Sequence, residues 1–452
     1  MIYDLAVKNG KVVYGDSVQD LEIGIVNGTV KYIGEPAGLE ASEVLNAAGK
    51  IVFPGVVDTH VHFREPGPAE EEDFLTGTRS AAAGGVTTIF EHPVDVPPTT
   101  TRERFIEKRD GLAEKAYVDY GLWGGVVPGN LDQIVPMWDE GACAFKAFLC
   151  SSDPNYPMIR DGDLVKALQK VNSIDSLLAV HAENDDIIKS ASQSPEPVTD
   201  VRRHEFIRPE YAEEEAIRRA AFLAAQFGAH IHILHLSSAR GAAFVRQCQT
   251  EGINITAETC THYLTLDEND IARMGVFAIA NPPVRGGGNR ERLFAELRRG
   301  TITSVISDHS PCTLEEKLRG DGDIRKIVPG INGLQLGLVL MIDEIVKTGK
   351  ASYNDLARWM CEGPAKLMNA FPKKGSLAPG SDADFVLLDP DHEWTLKKED
   401  LFTKNNWSAF EGRRFTTHVD SVYLRGKIIF EDNTFPMGNG YGKFISGKGR
   451  KY

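Results

Sequence analysis

The sequence lacks the cysteine patterns that tie small secreted domains or metal-binding modules together. Its six cysteines are scattered along 452 residues, and no two of them form a Cys-X-X-Cys pair. This spacing argues against a disulfide framework and against a cysteine-ligated zinc module. We therefore expect reduced thiols and a cytoplasmic protein.

An excess of positive charge and a long apolar run are also missing. The chain carries 50 Lys and Arg against 64 Asp and Glu, which gives a net charge of −14. This balance argues against nucleic acid or an anionic membrane surface as the main partner. No apolar stretch is long enough to span a bilayer, and the first residues lack the charged, apolar and small-residue regions of a signal peptide. We expect neither nucleic acid nor a membrane as a partner.

Short alternating stretches of apolar and polar residues occur at both ends of the chain. They fill residues 1 to about 50, between repeated glycines, and return at 384–388 and 418–430. This pattern is typical of short antiparallel strands. Each set is small to stand alone, so the sequence predicts one β-sandwich built from both chain ends.

The middle of the chain repeats the order strand, loop, helix. Candidate strands lie at 51–60, 86–91, 120–126, 144–148, 177–181, 231–236, 254–257 and 303–308, and helical stretches at 101–115, 213–226, 240–251 and 289–297. Eight strands that alternate with helices predict a parallel sheet closed into a barrel. The predicted fold is therefore α/β: a (β/α)8 TIM barrel at residues 54–373, with a small β-sandwich domain at 1–53 plus 374–452.

Two histidines, His60 and His62, end the first of these strands in the sequence VDTHVHF. Residues i and i+2 of a strand point to the same face, so both imidazoles can bind one metal ion. Asp58 shares that face and could support a ligand from behind. The alternative is a pair of structural histidines. However, a hydrophobic strand that ends in ligands before a Pro/Gly turn suits the carboxyl end of a barrel strand, where active sites lie.

Four later strands also end in a residue suited to metal chemistry, namely Lys146, His181, His235 and Asp308. Burying a lysine is costly, and desolvation lowers its pKa, so Lys146 could react with carbon dioxide and become a carbamate that bridges two cations. The alternatives are a lysine that reaches the surface, core histidines, and an aspartate that caps the next helix. Because five strands end this way in order, we predict one joint metal site.

These residues belong to motifs that resemble the cyclic amidohydrolases of the amidohydrolase superfamily. The motifs are HVHFREPG, VHAEN, HLSS, ETCTHYL, NPPVR, SDHSPC and SLAPGSDADFVLLDP, together with the isolated Lys146. That group includes dihydroorotases, allantoinases and hydantoinases/dihydropyrimidinases, and the resemblance covers nearly the whole chain. It implies a centre of two divalent metal ions, commonly zinc, with an N6-carboxylysine at Lys146. One metal would be held by His60, His62, Asp308 and the Lys146 carbamate, and the other by His181, His235 and the same carbamate.

The resemblance also implies the reaction. A ring amide would be hydrolysed to a ring-opened ureido or carbamoyl acid, with Asp308 as general base and then general acid. Related enzymes often form tetramers, so by analogy we expect a homotetramer. A metal-free binding or assembly protein of the same fold is the alternative from another class, and the six filled ligand positions argue against it.

The identity of the ring depends on positions around the metal site. Arg64 matches the arginine with which dihydroorotases hold the substrate carboxylate, but Val94 and Cys312 stand where that group has Asn and His. Arg64 is a candidate substrate contact, to a ureido carbonyl in the case of allantoin; the alternative is that it pairs with Glu65 or with the acidic run at 70–73. The motif SDHSPC and the run GINGLQ resemble allantoinases. We therefore favour a cyclic ureide substrate, with allantoin converted to allantoate, ahead of a hydantoinase/dihydropyrimidinase and then a divergent dihydroorotase. Asn281 and Asn332 are candidates to contact the ring imide; the alternative is that they hold loop turns.

Overall fold

The two ends of the chain share one sheet in the computed structural model, which describes residues 2–319 and 322–448. The N-terminal strands are β1 (Tyr3–Lys8), β2 (Lys11–Tyr14), β3 (Ser17–Asp20), β4 (Glu22–Val26), β5 (Thr29–Gly34), β6 (Ala41–Asn46) and β7 (Ile51–Pro54). The C-terminal strands are numbered after those of the barrel and are β17 (Phe385–Asp389), β18 (Trp394–Thr395), β19 (Arg414–Phe415), β20 (His418–Leu424) and β21 (Lys427–Glu431). In the shared sheet, β17 pairs with β7 in antiparallel register, Val386 opposite Phe53.

Two sheets pack together to form the predicted sandwich. One sheet has the order β21-β20-β17-β7-β2-β3 and the other β5-β4-β1-β6. Their alternating apolar residues share one core, in which Ile23 and Val52 pack with Phe385. Strands from opposite chain ends therefore bury each other's apolar faces. The division into residues 1–53 plus 374–452 and 54–373 remains a prediction that this pairing supports.

The central strands form the predicted (β/α)8 barrel. They are β8 (Val56–Val61), β9 (Val86–Glu91), β10 (Asp119–Leu122), β11 (Gly124–Gly125), β12 (Phe145–Phe148), β13 (Leu177–His181), β14 (His230–Ile233), β15 (Ile255–Cys260) and β16 (Ser304–Ile306). Neighbouring strands pair in parallel, and β10 with β11 supplies the third strand, interrupted at Trp123. Val61 forms a parallel bridge to His309, which brings the end of the eighth strand beside the first.

The predicted strand at 51–60 is in fact two strands. Ile51–Pro54 belongs to the sandwich and Val56–Val61 to the barrel, so the chain passes between the two units at Gly55. A Cβ atom at this position would lie 2.3 Å from Oγ1 of Thr87. Only glycine permits this close approach. Because Gly55 lies inside an otherwise apolar run, the sequence alone did not indicate that two strands meet there.

Helices cover the outside of the barrel and the loops at its ends. They are α1 (Phe74–Ala83), α2 (Arg102–Leu112), α3 (Ile134–Asp139), α4 (Asp161–Ser173), α5 (Asp185–Ala191), α6 (His204–Ile207), α7 (Glu210–Ala225), α8 (Ala239–Thr250), α9 (Thr261–Thr265), α10 (Glu268–Met274), α11 (Asn289–Arg298), α12 (Leu314–Leu318), α13 (Gly337–Met341), α14 (Tyr353–Ala357) and α15 (Gly363–Leu367). Among the helices described, none has both the length and the apolar character that crossing a membrane requires.

Helix α7 shows why these segments are helical. Its buried residues include Ala212, Ala216, Ala220 and Ala224, four positions apart, so they form one apolar stripe that packs on β14. The small alanine side chains let the helix lie close to the sheet. In a barrel, helices with one buried apolar face pack in this way on the parallel strands, and the carboxyl ends of those strands form the functional site.

Candidate metal centre

The carboxyl ends of the barrel strands surround a cavity of about 790 Å³. Its lining includes His62, Lys146, His181, His235 and Asp308, which are five of the six predicted ligands. The sixth, His60, is fully buried, and its Nε2 lies 3.3 Å from Oδ1 of Asp308 in that lining. The barrel therefore gathers into one site residues that are up to 248 positions apart in the sequence.

The first group of predicted ligands converges on Asp308. Nε2 of His60 lies 3.3 Å from Oδ1 of Asp308, and Nε2 of His62 lies 3.5 Å from the same oxygen. Nζ of Lys146 is 3.4 Å from Nε2 of His60. Two imidazole nitrogens, a carboxylate oxygen and the lysine thus face one small volume. This is a donor set that suits a divalent transition metal.

The second group is a pair of histidines. Nδ1 of His181 lies 2.9 Å from Nε2 of His235. On its other side, Nε2 of His181 lies 2.7 Å from Oε2 of Glu183, which Arg208 holds through its guanidinium. The carboxylate favours a proton on Nε2, so the lone pair of His181 is left on Nδ1, toward His235. Nδ1 of His235 is buried and has no hydrogen-bond partner.

Buried carboxylates orient the first group as well. Oε1 of Glu258 lies 2.6 Å from Nδ1 of His60, which leaves Nε2 of that ring facing Lys146 and Asp308. Asp58, expected to support a ligand from behind, accepts backbone N–H groups, from His60 at 3.0 Å and from Ser307 at 3.0 Å. It therefore fixes the end of the first strand against the end of the eighth, directly before Asp308.

Burial shifts the protonation of the lysine and the histidines in the direction that metal binding needs, and that of Asp308 in the opposite direction. Desolvation lowers the pKa of Lys146 to about 8, so an uncharged amine becomes accessible near neutral pH. It also lowers the pKa of His60 to about 4 and that of His62 well below its usual value, which keeps both rings neutral. Desolvation raises the pKa of Asp308 to about 8. A cation in the site would oppose the shift at Asp308 and favour its carboxylate.

Three residues of the cavity lining adopt left-handed backbone conformations. The φ angles are 57° for Arg64, 34° for His235 and 46° for Asp308. Such conformations cost energy for residues with a side chain and are concentrated at functional sites. At this rim they occur where strands end and side chains must turn into the cavity.

Sequence reasoning missed several supporting residues. It assigned no role to Glu183, Glu258 or His92, although the first two lie inside quoted motifs. The ring of His92 stacks on that of His60, with centroids 3.7 Å apart. Ring nitrogens of His60, His62 and His92 lie within 4.8 Å of one another. In the sequence, His92 could have been identified by its position directly after the second barrel strand.

The three predicted substrate contacts have different surroundings. Arg64 and Asn281 line the cavity, and Oδ1 of Asn281 lies 2.9 Å from Nε2 of His204. Asn332 is not among the described residues that line it. The Nδ2 group of Asn332 donates to the backbone oxygen of Trp407 at 3.1 Å, as expected for the alternative in which it holds a loop.

Comparison with known proteins agrees with the motifs. The profile of the Amidohydrolase family matches residues 51–429. An allantoinase from Bacillus velezensis is 35% identical over 449 residues, and an L-hydantoinase from Paenarthrobacter aurescens is 34% identical over 450 residues; each alignment covers 98% of both chains. The solved structure of an L-hydantoinase (dihydropyrimidinase) from Arthrobacter aurescens has a TM-score of 0.94 and 34% identity, covering 98% of this chain and 100% of that chain. The chain belongs to the amidohydrolase family.

Proposed function

We propose that this protein hydrolyses a C–N bond of a five-membered cyclic ureide, and that it converts allantoin to allantoate. The chain is a cyclic amidohydrolase. The observation that carries the proposal is the convergence of the predicted ligands in one cavity at the carboxyl end of the barrel. A hydantoin ring is the second candidate, because the allantoinase and the L-hydantoinase above are similar to this chain to the same degree.

The described side chains fit a pair of divalent metal ions. Nδ1 of His181 carries a lone pair, because Glu183 favours a proton on Nε2, and it lies 2.9 Å from Nε2 of His235. A cation held by these two nitrogens would use the lone pair of each ring. We propose the ligand sets that the family resemblance implies, with a carbamate on Lys146 common to both and zinc as the metal. When bound, the metals would polarise the ring carbonyl and lower the pKa of the attacking water.

The residues of the chain would bind the ring and move the proton. Asp308 lies at the centre of the first ligand group, so we propose that it takes a proton from the attacking water and gives it to the leaving ring nitrogen. Glu258 and Glu183 keep His60 and His181 in one tautomer each. The carbonyl carbon gains the water oxygen as the C–N bond breaks, and the product is a ring-opened ureido acid.

The surroundings of the site favour a neutral ring over dihydroorotate. Val94 lines the cavity and offers no hydrogen-bond donor. Cys312 is fully buried, and its thiol points to the backbone oxygen of Val328 at 3.9 Å. A carboxylate on the substrate would lack two of the contacts expected in a dihydroorotase, each worth about 1.5–3 kcal/mol.

A hydrolysis screen tests this proposal. Allantoin, hydantoins, dihydropyrimidines and dihydroorotate should be compared at equal enzyme concentration. We expect ring opening of allantoin or a related hydantoin, and a specificity constant for dihydroorotate that is lower by roughly a few hundred-fold. A preference for dihydroorotate would contradict the argument from Val94 and Cys312.

Metal removal tests the proposed centre. Treatment with a chelator should abolish hydrolysis, and zinc, manganese or cobalt should restore it. Elemental analysis should find two divalent ions per chain, and full activity of metal-free protein would contradict the assignment.

We also propose a homotetramer in the cytoplasm. Light scattering of the purified protein and fractionation of its host cells would test these two points.

A further inference from the structure

Three groups around the cavity hold the guanidinium of Arg64. Its Nε lies 3.0 Å from Oε2 of Glu71, and its Nη1 lies 3.6 Å from Oδ2 of Asp153. Nη2 donates a hydrogen bond to Oγ of Ser310 at 3.3 Å. These partners come from the loops that follow the first, fourth and eighth barrel strands. The guanidinium is thus ion-paired with two carboxylates of the protein itself, although its Nε makes no hydrogen bond.

The two carboxylates beside Arg64 are partly withdrawn from water but belong to the cavity wall. Only 12% of the Glu71 side chain and 18% of the Asp153 side chain are exposed, against 14% for Arg64, and all three residues line the cavity. The backbone also fixes Arg64, because its N–H donates to Oε1 of Glu91 at 3.1 Å. A substituent on a bound ring would therefore meet Arg64 together with both carboxylates.

The charges around Arg64 do not form a receptor for an anion. One guanidinium faces two carboxylates, and a third carboxylate, Glu316, also lines the cavity. A receptor for a carboxylate needs a net positive field at the position where the anion binds. Glu71 and Asp153 together carry two negative charges, against the single positive charge of Arg64.

We propose that Glu71 and Asp153 are specificity-determining residues that neutralise Arg64 and reject rings with an anionic substituent. The site would accept rings whose exocyclic group is neutral or cationic. This inference rests on the proposed function, because it concerns the substituent of the ring that the enzyme opens. Arg64 then belongs to a part of the cavity wall where carboxylates outnumber the guanidinium, whereas the resemblance to dihydroorotases implies that it binds a substrate carboxylate.

A pair of substrates that differ only in charge tests the inference. Hydantoin-5-acetamide and hydantoin-5-acetic acid have nearly the same size, but only the second carries a carboxylate. We expect kcat/KM of the metal-loaded wild-type enzyme to favour the amide by at least about tenfold, since like charges brought together without solvent repel strongly. Wild-type enzyme that opens the acid as readily as the amide would overturn the proposal.

The double variant Glu71→Gln/Asp153→Asn removes both charges and keeps side-chain size. We expect the preference for the amide to fall by at least about tenfold in this variant. The control is Glu70→Gln, which removes the same charge from an exposed neighbour, and its preference should equal that of the wild type. If Glu71 and Asp153 only hold loops together, the double variant loses activity toward both substrates equally, and its preference for the amide stays that of the wild type. That result would overturn the proposal. Should the double variant fail to fold, Asp153→Asn alone takes its place, with a smaller expected fall and the same overturning result.

Binding separates failure of this inference from failure of the proposed function. If no form of the enzyme opens either ring, the proposed reaction is wrong. Calorimetric titration of metal-loaded Asp308→Asn protein with each ring then decides the charge selection alone. At least about tenfold tighter binding of the amide supports it, and equal binding of amide and acid overturns it.

Discussion

Oε1 of Glu258 lies 2.6 Å from Nδ1 of His60, and neither side chain is exposed to solvent. This contact joins the seventh barrel strand to the first. Oε2 of the same carboxylate accepts a hydrogen bond from the hydroxyl of Thr59 at 3.0 Å. Glu258 therefore fixes both the position and the tautomer of His60, and directs Nε2 of that ring toward Lys146 and Asp308.

The contact between Glu258 and His60 predicts that Glu258→Gln weakens metal binding. The amide keeps the size of the side chain but accepts the imidazole proton less strongly, so His60 becomes a weaker ligand. We expect metal affinity to fall by about 10–100-fold. Competition with a chelating dye measures the change. The exposed Glu251→Gln is the matched control, and unchanged affinity in Glu258→Gln would show that the contact does not tune the site.

Lys146→Ala tests the proposed carbamate. The side chain of Lys146 is buried, and the group proposed on it belongs to both ligand sets. We expect metal content and activity to be lost together, and short carboxylic acids to restore a little activity because a carboxylate can occupy the same space. Alanine at the exposed Lys166 should change neither quantity. Full metal content in Lys146→Ala would remove the lysine from the ligand set.

Asp308→Asn separates proton transfer from metal binding. Asparagine keeps the size and one oxygen ligand but cannot accept a proton at neutral pH. We expect metal content to remain largely unchanged while kcat falls by at least about a hundredfold, a typical loss for a general base. Steady-state kinetics together with metal analysis measure both effects. Near-normal kcat would move the base elsewhere, with the neighbouring His309 as the next candidate.

Lys374→Met tests a buried charge cluster between the barrel and the sandwich. The ammonium of Lys374 contacts Asp119, and it lies 2.9 Å from Asp382 and 2.8 Å from Asp384. Its removal leaves buried carboxylates with too little compensating charge, so the free energy of unfolding should fall by about 3–5 kcal/mol. Thermal or denaturant unfolding measures the change. Lys366→Met, which removes an exposed pair with Glu362, should cost no more than about 1 kcal/mol.

Much of the architecture and the list of candidate ligands follow from the sequence alone. Alternating residues at both chain ends predict the sandwich, and eight apolar strands separated by helices predict the barrel. In the sequence, a metal ligand at the end of a parallel strand can be recognised where an apolar run changes to polar residues. Because the strands are parallel, their carboxyl ends share one side of the barrel, so that order along the chain predicts proximity in space.

Only the tertiary structure decided which partner each charged side chain takes. Glu258 contacts a histidine 198 residues away, and no local pattern specifies that pairing. For Arg64 the sequence left Glu65, the acidic run at 70–73 and the substrate as alternatives. The fold pairs Glu65 with Lys115 and brings Glu71 and Asp153 to Arg64. The physical reason is that strand periodicity determines which face a side chain occupies, whereas loop geometry around the barrel determines which charges meet there.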